Sequence, residues 1–257
     1  MAEFIDTHTH ITDEAFAGYE DSFIGRALDS GVTKMILPDI DSGERGAMLA
    51  AAARHPGILF PMAGLYPGSV GSGWEKELEL ADAAARAPGI VAMGEIGLDY
   101  HFSTEFVREQ KKVFKAQLEI AAELDIPVNI HLRDATEDFF KILDECRGLA
   151  LRGNLHAFSG SAETFRRLSK YGDWYVGIGG VVTFKNAGVA EAVRKIPLER
   201  IVLETDAPYL APSPLRGTRN ESSNIPLIAA KIAELKGTDT DTVAEVTTSN
   251  STRLFGI

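Results

Sequence analysis

Two histidines stand two residues apart near the start of the chain, His8 and His10, in the stretch Phe4 Ile5 Asp6 Thr7 His8 Thr9 His10. In an extended segment, residues two apart face the same side, so the two imidazoles, with Asp6 on that face, form half of a metal-binding shell. Further donors recur at long intervals, each closing a short apolar run. Glu95 ends Val91 Ala92 Met93 Gly94 Glu95, and His131 ends Val128 Asn129 Ile130 His131. His156 ends Gly153 Asn154 Leu155 His156, and Asp206 ends Val202 Leu203 Glu204 Thr205 Asp206. The chain has six histidines. Four of them fall in these positions, which favours a metal centre over isolated, hydrogen-bonded structural residues. Six donors exceed what one four-coordinate zinc takes, and carboxylates bridge, so two divalent metals sharing one carboxylate and a water are expected. Imidazole suits Zn, Mn, Ni or Co better than Ca, and neither the mixed shell nor the chemistry selects among these and Mg. His55, in the turn Arg54 His55 Pro56 Gly57, reads as a helix-end residue that complements the helix dipole. His101 has either a surface role or a place near substrate, and Cys146, within a helical pattern, reads as packing.

Elements must bring these donors together. Short apolar runs at 4 to 8, 32 to 37, 59 to 65, 90 to 95, 127 to 131, 153 to 157, 174 to 178 and 200 to 205 read as eight strands. Amphipathic stretches near 20 to 30, 43 to 54, 73 to 86, 105 to 124, 135 to 147, 161 to 170 and 187 to 195 separate them, and two more, 225 to 236 and 241 to 254, follow. Strands such as Ile201 Val202 Leu203 are apolar throughout, as a parallel sheet covered on both faces requires. The expected fold is therefore α/β, a closed (β/α)₈ TIM barrel over residues 1 to 257 as a single domain, with a doubly wound open sheet as the alternative. In such a barrel, chemistry sits at the C-terminal ends of the strands, where the donors fall.

Residues that would hold an anion lie on the same side. Arg133 follows His131 by two positions. The seventh strand runs into Gly177 Ile178 Gly179 Gly180 Val181 Val182 Thr183 Phe184 Lys185, glycine-rich and ending in a lysine. The eighth is followed by a proline-stiffened loop carrying Arg216 and Arg219. Loops after strands seven and eight are the common phosphate site of these barrels, so Arg133, Lys185 and Arg219 together point to a phosphodiester.

Charge qualifies this reading. The net charge of -11 argues against non-specific attraction to nucleic acid. The excess acid lies entirely in residues 1 to 128, with 10 Lys+Arg against 21 Asp+Glu; the remainder is balanced at 16 and 16. Two bound divalent cations would offset it where substrate sits. A lone cysteine, no basic and apolar leader, and no apolar run of membrane-spanning length lead us to expect a cytoplasmic protein that engages no membrane.

These motifs resemble the TatD-type metal-dependent deoxyribonucleases. The likeness rests on Asp6 Thr7 His8 Thr9 His10, Gly94 Glu95 Ile96 Gly97 Leu98 Asp99 Tyr100, His131 Leu132 Arg133, His156 Ala157 Phe158 Ser159 Gly160, Thr183 Phe184 Lys185 Asn186 Ala187, Glu204 Thr205 Asp206 Ala207 Pro208 and Arg219 Asn220 Glu221. The resemblance implies a monomeric hydrolase of DNA, acting on single strands or 3′ ends in the 3′-5′ direction. It implies one metal on His8, His10 and Asp206, another on His131 and His156, Glu95 between them, and Asp206 orienting or deprotonating the attacking water. Glu95 and Asp206 are thus the implied catalytic pair. Where the family carries Gly-x-His-Pro, this chain reads Gly64 Leu65 Tyr66 Pro67. Tyr66 can donate a hydrogen bond to substrate or stack on a base, but does not replace a protonatable imidazole. Two alternatives stand beside this reading: a metal-dependent hydrolase of a small ester, lactone or amide or of D-aminoacyl-tRNA, and a binding module with structural metals or none.

Overall fold

The computed structural model describes residues 2–257. Strands and helices alternate in the order β1 (Phe4–Asp6), α1 (Glu20–Asp29), β2 (Val32–Leu37), α2 (Ser42–Arg54), β3 (Leu59–Pro61), α3 (Trp74–Ala85), β4 (Met93–Asp99), α4 (Val107–Glu123), β5 (Val128–Arg133), α5 (Thr136–Glu145), β6 (Leu151–Leu155), α6 (Ala162–Leu168), β7 (Gly172–Ile178), α7 (Gly188–Lys195), β8 (Ile201–Leu203), α8 (Ile225–Lys236) and α9 (Thr240–Phe255). Local chemistry sets several boundaries. Asp41 caps α2 by accepting from the Gly43 and Glu44 amides, Ser161 and Thr164 form a capping box on α6, and α8 stops at Gly237, which takes the left-handed conformation at φ 67°. Among the described residues no helix is long and apolar enough to cross a membrane.

All strand pairs are parallel. β1, β2 and β3 form one sheet, and β4 to β8 a second, each in sequence order. Isolated parallel bridges join Thr9 to Ala207 and Ala63 to Met93 at the two seams. Backbone hydrogen bonds support both: Thr7 N to Leu203 O at 2.9 Å and Asp206 N to His8 O at 2.9 Å, Gly94 N to Ala63 O at 2.8 Å. The seam between β1 and β8 is what brings His8 to Asp206, about two hundred residues away in sequence.

Aliphatic residues on the outer strand faces, such as Met35, Leu37, Val176 and Ile201, pack beneath the helices in the main core. Their alternates Ile36, Tyr175 and Val202 meet Met62, Ala92 and the α9 residues Leu254 and Phe255 in a second apolar cluster. Burial on both faces accounts for the unbroken apolar character of the strands.

Four boundaries differ from expectation in ways that affect the site. β1, β3 and β8 stop at Asp6, Pro61 and Leu203, short of the predicted ends, so His8, His10 and Asp206 stand on segments just beyond the ladders. β4 instead runs on to Asp99, which puts Glu95 inside it. Gly94 Glu95 Ile96 Gly97 Leu98 Asp99 lacks β-branched density and so does not read as a strand, yet all of β4 is buried. Gly97 is required there: it sits at φ 142°, and a Cβ would lie 1.9 Å from the His131 carbonyl oxygen.

Candidate metal centre

Each donor reaches the centre from a different part of the sheet: His8 and His10 from beyond β1, Glu95 from β4, His131 from β5, His156 from just after β6, and Asp206 from beyond β8. Asp206 itself has a left-handed backbone at φ 57°, as does Ala157, next to His156, at φ 42°. These conformations turn the two donors inward as the chain leaves the sheet.

The donor atoms fall into two groups that meet at Glu95. Oε2 of Glu95 lies 3.3 Å from His8 Nε2 and 3.9 Å from His10 Nε2. Within that group, His8 Nε2 and His10 Nε2 are 3.2 Å apart, and Asp206 Oδ1 is 3.6 Å and 3.3 Å from them. The other oxygen, Oε1, lies 2.8 Å from both His131 Nδ1 and His156 Nε2, which are themselves 3.1 Å apart. Donors on a tetrahedral ion with bonds of ~2.05 Å are separated by about 3.3 Å; the first group, at 3.2 to 3.9 Å, brackets that spacing, and the second, at 2.8 to 3.1 Å, is drawn closer by direct hydrogen bonds to Glu95. In each group two ring nitrogens converge at 3.1 to 3.2 Å beside a carboxylate oxygen, the mixed nitrogen and oxygen donor set that a divalent cation takes. The His8 and His156 rings stack at 3.9 Å with 3° between planes, closing the space between the groups.

Residues behind the donors set their tautomers. His131 Nε2 is 2.8 Å from Asp99 Oδ2, so Nε2 keeps its proton and Nδ1, facing Glu95, is the nitrogen that becomes a donor once the ring is neutral. His8 Nδ1 donates to Asn129 Oδ1 at 2.9 Å, while the Asn129 amide nitrogen donates to Asn154 Oδ1 at 3.2 Å. The Asn129 oxygen is thereby committed to His8, and His8 Nε2 is free to ligate. Burial pushes the His8 imidazole down to about 4, helped by nearby His156. Burial also lowers His131, but Asp99 and Glu95 outweigh it and carry it up to about 9. Burial would raise Glu95, yet the surrounding imidazoles hold it well below the ordinary carboxylate range. Asp206 is likewise held low by His10, against burial. The two carboxylates facing the donors are therefore ionised, as metal ligands must be.

Asp6 does not join its expected companions. Its buried carboxylate accepts from the Thr205 amide at 3.0 Å, the Thr205 hydroxyl at 2.6 Å and the Ser222 hydroxyl at 2.6 Å. It holds the β8 loop against β1 instead of facing a cation. His55 pairs with Asp21 at 3.2 Å, and Cys146 is buried in the core.

The centre opens into a cleft of about 680 Å³, lined by His10, Glu95, His131, His156 and Asp206. Tyr66 and Arg133 line it too. The Tyr66 ring stands edge-on to His131 at 5.2 Å; burial and the charge of Glu95 hold its hydroxyl protonated. Lys185 and Arg219 are not brought to this lining. Lys185 is exposed on the β7 loop. The Arg219 guanidinium donates to the Ala15 carbonyl at 2.7 Å and lies over the Phe16 ring, so it ties the β8 loop to the start of the chain.

Sequence reasoning did not assign Asp99, Asn129, Asn154 or Glu204 a role. Glu204 is fully buried, accepts from the Ala157 amide, and is held well above its ordinary range by burial, so it supports the His156 turn as a neutral acid. A visible sign existed for Asn129 and Asn154: each stands between apolar or glycine neighbours, two residues before a candidate histidine donor. Asp39, which lines the cleft and is bound by Arg45 at 2.6 Å, carried no such sign.

A parallel α/β sheet that gathers four imidazoles and two carboxylates within its strands and just beyond their C-terminal ends defines a metal-dependent hydrolase. The model of the family described as TatD related DNase matches residues 5–256, and the chain belongs to that family. It is 37% identical over 253 residues to the uncharacterized metal-dependent hydrolase YabD of Bacillus subtilis, covering 98% of each. It is 36% identical over 259 residues to the 3'-5' ssDNA/RNA exonuclease TatD of Citrobacter koseri, again covering 98% of each. Among solved structures, the TatD homologue YjjV of Escherichia coli superposes with a TM-score of 0.89 at 29% identity, covering 99% of this chain and 98% of that one.

Proposed function

We propose that this chain is a two-metal phosphodiesterase that shortens single-stranded nucleic acid, DNA foremost, from its 3′ end. In this reading the eight strands close as one (β/α)₈ barrel domain over residues 1 to 257, acting as a cytoplasmic monomer. The observation that carries it is Glu95, whose two carboxylate oxygens each face a separate donor group at 2.8 to 3.9 Å. One shared carboxylate between two sets of imidazoles is the design of a paired site. His8, His10 and Asp206 would hold one ion and His131 and His156 the other. Divalent ions held there would supply an acidified water as nucleophile and would offset charge on the reacting phosphate.

The chain's own residues do the rest. Asp206, kept ionised beside His10, accepts the proton of the attacking water. The Tyr66 hydroxyl, protonated at neutral pH, donates to a non-bridging phosphate oxygen, and Arg133 offers its charge from the same wall. Lys185 is left for more distant backbone phosphates, while Arg219 orders the β8 loop. The 3′-5′ direction rests on the name borne by the Citrobacter koseri relative.

The test is release of 3′-terminal mononucleotides by metal-loaded protein, read as stepwise shortening of a 5′-labelled single-stranded DNA, with Glu95→Ala and Asp206→Asn as comparisons. Metal-dependent release by the wild type alone is the expected result. Equal, metal-independent trace release by all three would mean a contaminant. Turnover of small esters, lactones or D-aminoacyl-tRNA with DNA left intact would replace the reading by its rival.

A further inference from the structure

Phe102 lies in the loop between β4 and α4 and is 77% exposed, more than any other large apolar side chain among the described residues. It also lines the cleft that holds Glu95 and His131. An exposed phenyl ring far from a reactive centre needs no explanation; one on the rim of that centre does. The Arg133 guanidinium stands 5.0 Å from its ring centroid, and His101 meets the ring edge-on at 5.0 Å. Among the described residues Arg133 has no carboxylate partner, although the chain carries a net charge of -11.

The ring is also held in register with the metal centre. Asp99 accepts from the His101 backbone amide through Oδ1 at 2.8 Å and from His131 Nε2 through Oδ2 at 2.8 Å. One carboxylate thus anchors both a metal donor and the residue before Phe102. The His101 ring is further tied to Asp134 at 3.0 Å.

Resting on the nuclease reading above, we propose that Phe102, backed by Arg133, is the platform on which an unpaired base of the substrate stacks while its phosphate lies at the metal centre. A phenyl face carries no hydrogen-bonding group, so it accepts any base. The guanidinium beside it adds a cation for the phosphate of the same nucleotide. A base within a duplex is already stacked on its neighbours, so the platform selects single strands and frayed ends.

The experiment compares wild type with Phe102→Ala, Phe102→Leu and Phe102→Trp on two single-stranded oligonucleotides, one intact and one abasic at its last two 3′ positions. Melting temperatures are checked alongside, and should not change for so exposed a side chain. On the intact strand Phe102→Ala is expected to lower kcat/KM roughly tenfold to hundredfold, mostly through KM. Phe102→Leu should match it and Phe102→Trp should restore activity, because an aromatic face and not apolar bulk is required. On the abasic strand the wild type should already be slow, and Phe102→Ala should lose nothing more. Cleavage by the wild type with no loss in Phe102→Ala, or an equal loss on both strands, overturns the platform alone. Wild-type protein that neither cleaves nor, by fluorescence anisotropy, binds either strand overturns the nuclease reading and the platform with it.

Discussion

His8 and His131 occupy corresponding places in the two donor groups, yet the residues behind them differ in kind. Behind His8 stands a neutral amide, Asn129, itself fixed by Asn154. Behind His131 stands a carboxylate, Asp99. Both fix a tautomer, but only the carboxylate adds charge: burial and nearby His156 push His8 down to about 4, while Asp99 and Glu95 outweigh burial and lift His131 to about 9. The contrast teaches that one cluster of candidate donors can contain a half that is neutral and open to a cation at pH 7 and a half that must first lose a proton. In the metal-binding reading, loading of the His131 half therefore becomes easier as pH rises toward about 9, whereas the His8 half is indifferent over that range.

The change with the largest expected effect abolishes the comparison altogether. Glu95→Ala removes the group shared by both halves, so elemental analysis should find both ions lost and DNA cleavage should fall to background; full metal retention would show that Glu95 does not join the halves. Asp206→Asn acts on one half and should cost roughly 10² to 10⁴ in kcat, with metal still bound at His131 and His156. Third come the residues in the rear: Asp99→Asn and Asn129→Ala should each weaken metal binding by about 10 to 100-fold in calorimetric titrations. Only Asp99→Asn should flatten the pH dependence of loading, and identical pH profiles would erase the distinction.

The smallest effect is on the metal-free protein. His131, raised from 6.5 to about 9, contributes stability that is complete below pH 6.5 and lost as pH rises through about 9. His8, lowered from 6.5 to about 4, acts in reverse: its contribution is present above pH 6.5 and lost as pH falls through about 4. Imidazole NMR of the metal-free chain should show the two titrations on opposite sides of neutrality. Coincident midpoints would mean that Asp99 and Glu95 do not lift His131 above the buried His8.

Periodicity and residue type carried much of this molecule. Eight apolar runs correspond to β1 to β8, and nine amphipathic stretches to α1 to α9, because burial on both strand faces and on one helix face leaves a pattern that one chain displays locally. The six candidate donors were legible for a related reason: imidazoles and carboxylates are conspicuous at the ends of apolar runs. Less legible were the elements that the site itself shapes. β4 hides in Gly94 to Asp99, where glycines make room for β5 and the polar residues serve the centre. Lys185 and Arg219 show the limit from the other side, since a cation in a loop reads the same whether it faces the cleft, solvent or a carbonyl such as that of Ala15.

The sequence by itself determined the alternation of strands and helices and marked the candidate donors, since both follow from hydrophobic spacing and side-chain chemistry. Tertiary structure alone decided that Glu95 faces two groups, that Asp6 turns to Thr205 and Ser222, and that Asp99 ties His101, the residue before Phe102, to His131. Those outcomes depend on distances of about 3 Å between segments far apart in the chain, which the crossing of β1 with β8 and the register of β4 on β5 set, and which no local pattern encodes.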